Sequence, residues 1–310
     1  MKPIRILLAA CLLFAWQAGP AYADAESGPV PSPAGLGNDI SWPQCGTDLP
    51  SPPAFAIVGV NGGRPDTANP CLSDQLAWAD QSAASAGGTP AAVYVNTAAT
   101  GPVDTLWWPA GNTYRDAVVG NPYGTCDGTG SPACAYVHGY AMAANAADIL
   151  QHAGHNVPHR MWWLDVEFGN SWLWDKAVNA AELEGMTAFL QGAGAEVGIY
   201  STGYQFGEIV GDVSPDSNLY KLQNWLAGAY SAESAEEYCE AAPLTPGGTV
   251  TTTQFTENDL DYNYRCPGAV PPPVSQPAPQ PAPPPAPEPA PKPEKTRPNL
   301  SAELHAAQIS

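Results

Sequence analysis

Strand-like and helix-like segments alternate along nearly the whole body of this chain, and that alternation limits its architecture more than any other feature. Short apolar runs rich in β-branched and aromatic residues predict strands over residues 38–41, 55–60, 91–96, 161–167, 197–201, 224–227 and 250–255. Between them, apolar residues at helical spacing predict helices over 73–86, 136–153, 179–191 and 205–210. In the third of these, Asn179 reads as an N-cap with Glu182 three residues on, and Leu183, Met186, Phe189 and Leu190 mark a buried face. Seven or eight strands separated by helices call for an α/β fold with a parallel sheet, most simply a closed (β/α) TIM-like barrel. Such barrels place their chemistry at the carboxyl ends of the strands.

The strand over 161–167 reads Met161-Trp162-Trp163-Leu164-Asp165-Val166-Glu167. Side chains alternate faces along a strand, so Asp165 and Glu167 point the same way, their Cα atoms roughly 6.6 Å apart. Two same-facing acids ending an apolar strand are costly unless water, hydrogen bonds or chemistry compensates. Paired carboxylates are the equipment of glycoside hydrolysis. A strand end that simply meets solvent is the alternative. Asp39 lies near the end of the first strand, on the same expected rim.

The chain opens with a secretory pattern. Lys2 and Arg5 precede an apolar run over 6–18, and Ala21-Tyr22-Ala23 supplies a small-x-small cleavage site, so 1–23 is read as a signal peptide. An exported, soluble chain follows, starting near Asp24 with a short linker over 24–34. Of the seven cysteines, Cys11 leaves with the signal. The remaining six (Cys45, Cys71, Cys126, Cys134, Cys239 and Cys266) read as disulfides of an oxidising compartment. Proximity favours Cys45–Cys71, Cys126–Cys134 and Cys239–Cys266, although sequence leaves connectivity open. No CxxC pair occurs, which argues against zinc and thiol redox chemistry.

Charge narrows the partners. The formal charge of −19 becomes −21 once Lys2 and Arg5 are removed. Nucleic acid is therefore not expected as a partner, nor are anionic surfaces reached by charge attraction. Ten Trp in a chain with only 13% charged residues suit an uncharged polar ligand such as a sugar, although aromatic enrichment also serves core packing. Trp107-Trp108, Trp172 and Trp174 fall in expected loops beside strand ends, where at least one is expected to line the groove. His152, His155 and His159 have tempting spacing, but Gly154 and Pro158 interrupt a helix there; a polar loop is favoured over a metal site. No G-x-S-x-G elbow marks a serine hydrolase, and Asn61-Gly62-Gly63 reads as a turn rather than a phosphate cradle.

Beyond Pro267 the sequence becomes a Pro-Ala repeat, read over 268–310 as a disordered, extended spacer rather than a domain.

The order of motifs over 35–267 resembles glycoside hydrolase family 25, the secreted Chalaropsis-type lysozymes or N-acetylmuramidases. The resemblance rests on Asn38-Asp39-Ile40-Ser41 with Gln44, Phe55-Ala56-Ile57-Val58, Asp165-Val166-Glu167, Gly198-Ile199-Tyr200-Ser201-Thr202, Trp225-Leu226-Ala227, Gln254-Phe255-Thr256 and Asp261-Tyr262-Asn263. It implies a barrel whose acidic groove binds peptidoglycan glycan, with Glu167 as general acid. Asp165 would assist the substrate's own 2-acetamido oxygen, a direct displacement being the other route. Asp39, Asp261, Gln254, Tyr200 and Trp225 fall on sugar-binding positions. No cofactor or metal is implied, and a secreted, wall-associated monomer is the expectation. The sequence also departs from the pattern: Val60-Asn61-Gly62-Gly63 and Val93-Tyr94-Val95-Asn96 replace the family's usual second and third strand ends, and 100–134 is an insertion. An enzyme is favoured. A catalytically silent glycan-binding barrel and a structural wall protein acting through its tail are the alternatives.

Overall fold

The computed structural model describes residues 35–103 and 105–268 of the 310-residue chain. The expected signal peptide, the 24–34 linker and the Pro-rich tail apart from Gly268 lie outside the described residues. In chain order the elements are β1 (Gly37–Ile40), β2 (Ala56–Gly59), α1 (Leu72–Ala79), α2 (Ala83–Ala86), β3 (Ala92–Asn96), β4 (Thr113–Tyr114), β5 (Ala117–Val118) and α3 (Pro132–His152). There follow β6 (Met161–Asp165), α4 (Lys176–Gly192), β7 (Glu196–Ser201), α5 (Gly203–Ile209), β8 (Gln223–Ala229), α6 (Ala232–Glu237), β9 (Thr249–Glu257) and β10 (Leu260–Arg265).

Eight strands close a barrel in the order β1-β2-β3-β6-β7-β8-β9-β10. Pairing is parallel from β1 round to β9, as the alternation requires. Closure differs from the all-parallel expectation. β9 turns through Asn258 and Asp259, both at positive φ, into β10, which runs antiparallel to β9 and to β1. A two-residue turn with both residues left-handed is the hairpin connection that matches strand twist, and Asn and Asp tolerate it best.

The period of two in β6 sorts its side chains. Trp162 and Leu164 join the layer between barrel and helices, packed with Leu183, Met186 and Leu190 of α4. Met161 and Trp163 turn inward to a second cluster with Phe55, Ile57 and Trp225. The inner face has room for Trp163 because its neighbour in β7 is Gly198, where a Cβ would sit 2.2 Å from the indole.

Three helix expectations are corrected. The helix over 73–86 is two: α1 stops at Ala79, and Ser82 caps α2 by accepting from the Ser85 amide. α3 starts earlier, at Pro132, capped by Ser131. α4 is capped by Asp175, not Asn179. Asn179 is instead buried inside the helix, where its amide bonds Leu173 O and Ile209 O at 2.8 and 2.9 Å. Tertiary demand took the residue the capping pattern had claimed.

The insertion over 100–134 forms the β4–β5 hairpin and packs outside the barrel on α3 and α4, its Val119 and Cys126 clustering with Tyr136 of α3 and with Val178 and Ala181 of α4. Three disulfides staple the fold, Cys45–Cys71, Cys126–Cys134 and Cys239–Cys266, which are the neighbour pairings. The last spans 27 residues and ties the segment after α6 to the end of β10, the closing strand. Replacing Cys239 and Cys266 by Ser is expected to cost about 2–4 kcal/mol, read as a lower midpoint in denaturant. An unchanged midpoint would show that closure does not depend on this bond.

Candidate active site

The barrel mouth at the carboxyl ends of the parallel strands holds a cleft of about 320 Å³ lined by four acids, Asp39, Asp165, Glu167 and Asp261. At the opposite end one cavity of about 60 Å³ has no carboxylate in its lining, and another of about 340 Å³ has Glu196 alone. Four acids gather at the mouth.

Each acid is delivered by its strand. Asp39 on β1 lies opposite Asp261 on β10 in the antiparallel register. One oxygen of Asp39 accepts from Asn263 Nδ2 at 2.6 Å and Gln254 Nε2 at 3.0 Å. Gln254 accepts in turn from the Tyr200 hydroxyl at 2.7 Å, and Thr256 donates to Asp261 at 2.7 Å. Asp165 is the last residue of β6, two positions short of the expected strand end at Glu167. The Val166 amide still bonds Tyr200 O, so extended chain continues and both acids reach the cleft. The turn beyond is held by Trp172 Nε1 and the Asn170 amide, both donating to Glu167 O.

The sequence candidates Asp39, Asp165, Glu167, Tyr200, Trp225, Gln254 and Asp261 are thus brought into one cleft. Trp225 is almost fully buried and forms part of the wall beneath Tyr200, their rings 4.3 Å apart. The loop tryptophans are placed otherwise than expected. Trp107 and Trp108 pack on His138, Trp174 is fully exposed away from the cleft, and Trp172 braces the turn after Glu167. The cleft's half-exposed indole is Trp42, just after β1. Tyr94, Asn96 and Thr256 also line the cleft and were not singled out as site residues. Each left a signal, Tyr94 and Asn96 within the departure over 93–96 and Thr256 within the Gln254-Phe255-Thr256 motif. The three histidines have separate local roles: His152 donates to Asp148 O, His155 lies against Arg160, and His159 holds a positive-φ turn.

Burial is the leading cause that raises all four carboxyls. Asp39 is pushed up to about 7, with the charge of Asp261 adding and the bonds from Asn263 and Gln254 opposing. Asp165 is lifted well above the carboxylate range by burial and then by Glu167. Glu167 is raised by burial and Asp261, while its hydrogen bond with Asp165 holds it down. A like-charge argument from the spacing alone would have Asp165 raise Glu167; the hydrogen bond between them acts the other way. Each of the two carboxyls enters the causes of the other's shift, so their titration belongs to the pair. Tyr200 is also raised, by burial first, and stays a hydroxyl that can donate.

A carboxyl whose pKa is higher folded than unfolded binds its proton more tightly in the native state. Asp39 therefore contributes stability in acid that is lost as pH rises from about 4 to about 7. Asp39→Asn keeps the acceptor for Asn263 and Gln254 without the charge. It is expected to stabilise the fold at pH 8 by at most about 4 kcal/mol, with the gain vanishing near pH 4. Thermal unfolding across that range checks this; a gain equal at all pH values would contradict it.

An eight-stranded β/α barrel with a carboxylate-lined mouth fixes the fold and the place of the site, while many unrelated activities share the barrel. Residues 131–240 match the family model described as Lysozyme-like protein 1, a span that contains Asp165, Glu167, Tyr200 and Trp225. A stretch of 86 residues is 30% identical to Probable GH family 25 lysozyme 4 of Dictyostelium discoideum, covering 28% of this chain and 38% of that protein. The protein carries a divergent lysozyme-like domain similar to the glycoside hydrolase family 25 lysozymes. Among solved structures, similarity reaches the muramidase from Trichobolus zukalii at 15% identity, covering 75% of this chain and 93% of that one, with a TM-score of 0.43. The bacterial lysozyme from Streptomyces coelicolor is alike at 15% identity, 75% and 92% coverage and 0.42.

Proposed function

We propose that the protein is a secreted glycan hydrolase of the muramidase type that cleaves peptidoglycan strands. The observation that carries this is the Asp165–Glu167 pair, the first buried and the second half-buried, both raised by burial and lining the carboxyl mouth of the barrel. Glu167 is the more exposed of the two and is suited to protonate the leaving glycosidic oxygen. Asp165, held by Asn96, is suited to orient the 2-acetamido group and to balance developing positive charge. The remaining acids, with Tyr200 and Gln254, present hydrogen-bonding groups to sugar hydroxyls, and their negative field favours an oxocarbenium-like transition state.

Three disulfides suit an oxidising compartment, in keeping with the export signal read from the sequence. Among the described residues no helix is long and apolar enough to cross a membrane. The Pro-Ala tail is assigned as a spacer and the barrel as a monomer.

Release of reducing ends from purified peptidoglycan, with sedimentation of protein on the same material, tests the reading. Release establishes a hydrolase. Co-sedimentation without release would replace it by the glycan-binding barrel, and neither would remove the glycan altogether. A chain ended after Cys266 is expected to keep its activity, which would exclude the tail as the functional part.

A further inference from the structure

The ends of β2 and β3 depart from the lysozyme pattern, at Asn61 and at Asn96. In the structure these two departures form one device. Asn61 is buried, and its side-chain amide engages the Asn96 backbone in both directions. Nδ2 donates to Asn96 O at 2.9 Å, while Oδ1 accepts the Asn96 amide at 3.0 Å. Both bonds of a side-chain amide are thereby spent on fixing one residue at the strand end. Parallel register sets Asn96 beside Asp165, and its Nδ2 donates to Asp165 Oδ2 at 2.5 Å. The backbone of Asp165 is held from the same side. Its carbonyl accepts from the Thr97 hydroxyl at 2.5 Å and from Asn170 Nδ2 at 3.0 Å.

The other oxygen, Asp165 Oδ1, is enclosed and takes no bond from an N–H or hydroxyl of the described residues. With Oδ2 engaged by Asn96, Oδ1 is the oxygen left to share a hydrogen bond with Glu167. A carboxylate free to rotate would exchange its two oxygens, and the shared proton with them.

Resting on the hydrolase reading, we propose that Asn96, locked by Asn61, is a positioning residue that fixes which oxygen of Asp165 is offered to Glu167 and which to the amide. Asn96 acts through Asp165 and transfers no proton. The reading also accounts for both departures: the lost family residues are replaced by a pair of asparagines that serve the retained acids.

The test is a carboxyl-carbon NMR titration of Asp165 and Glu167 in the full chain, for the parent, Asn96→Ala and Asn61→Ala, together with kcat and KM on a soluble peptidoglycan fragment. Removing the amide removes a bond to the ionised carboxylate. Asn96→Ala should therefore raise the first titration midpoint of the pair and lower kcat about ten- to hundred-fold, with KM nearly unchanged. Asn61→Ala should move both in the same direction by less. Asn96→Ser, which restores a shorter donor, should recover part of each change, and it gives the same reading if the alanine variant fails to fold. An unmoved midpoint in folded Asn96 variants, or an unmoved kcat with an active parent, overturns the proposal. With an inactive parent, the hydrolase reading falls and the titration alone still decides the role of Asn96.

Discussion

Glu167→Gln is expected to lower the rate of glycan cleavage about 10²- to 10⁴-fold, the usual contribution of a general acid. That corresponds to about 3–5 kcal/mol of barrier. The substitution is isosteric and removes the transferable proton while keeping shape. It leaves the turn intact, because Trp172 and Asn170 bond the backbone carbonyl of Glu167 and not its carboxyl. Binding should consequently persist while kcat falls. Stability at neutral pH should hold or rise, since a carboxyl raised by burial is replaced by a neutral amide. Initial rates on soluble peptidoglycan fragments, with affinity measured in parallel, check this. Equal loss of binding and rate would point to a collapsed cleft instead.

The second large effect concerns stability. Gly139 on α3 and Gly185 on α4 face the opposite helix so closely that an added Cβ would meet backbone carbonyls. Gly139 would meet Glu182 O at 1.9 Å, and Gly185 would meet Tyr136 O at 2.0 Å. In an exposed helix, Gly to Ala gains about 1 kcal/mol of propensity. Here that gain is outweighed, because no rotamer change moves a backbone carbonyl, so the helices must separate. Separation would also strain the buried His138–Glu182 contact at 2.7 Å, which joins the same two helices. Gly139→Ala is expected to cost about 3 kcal/mol or more, roughly 10 °C in Tm. Gly207→Ala on α5, where a Cβ meets nothing within 4 Å, should instead be neutral or stabilising. A rise in Tm for Gly139→Ala would contradict the close approach of α3 and α4.

Much of the barrel was readable because its signals are local. The Met161–Asp165 strand announces itself by apolar content, and its alternation correctly sends Trp163 and Asp165 inward and Trp162 and Leu164 outward. What failed depended on partners. β10 escaped notice as a strand because Asp261-Tyr262-Asn263 alternates polar and aromatic residues, and only pairing with β1 makes it part of the barrel. Asn179 has the chemistry of a cap, and nothing local reveals that Leu173 and Ile209 need its amide. The loop tryptophans were ambiguous for a similar reason. His138 receives two of them, and it is visible as a partner only once α3 is folded against the insertion.

The acids were legible as a pair through their spacing, but the order of their titration was not. A like-charge argument raises Glu167 through Asp165. Burial and a direct hydrogen bond produce the reverse emphasis, with Asp165 as the more deeply enclosed member. Asn61 and Asn96 looked like losses in the sequence. Each bonds a group contributed by another strand, so their use could emerge only from the pairing of β2 with β3 and of β3 with β6.

Borohydride reduction of purified peptidoglycan after treatment with the parent chain and with Glu167→Gln, followed by sugar analysis, tests the central claim most directly. New N-acetylmuramitol ends with the parent and essentially none with the variant are the expected result. No new ends with the parent, or equal numbers with both, would contradict a hydrolase built on the Asp165–Glu167 pair.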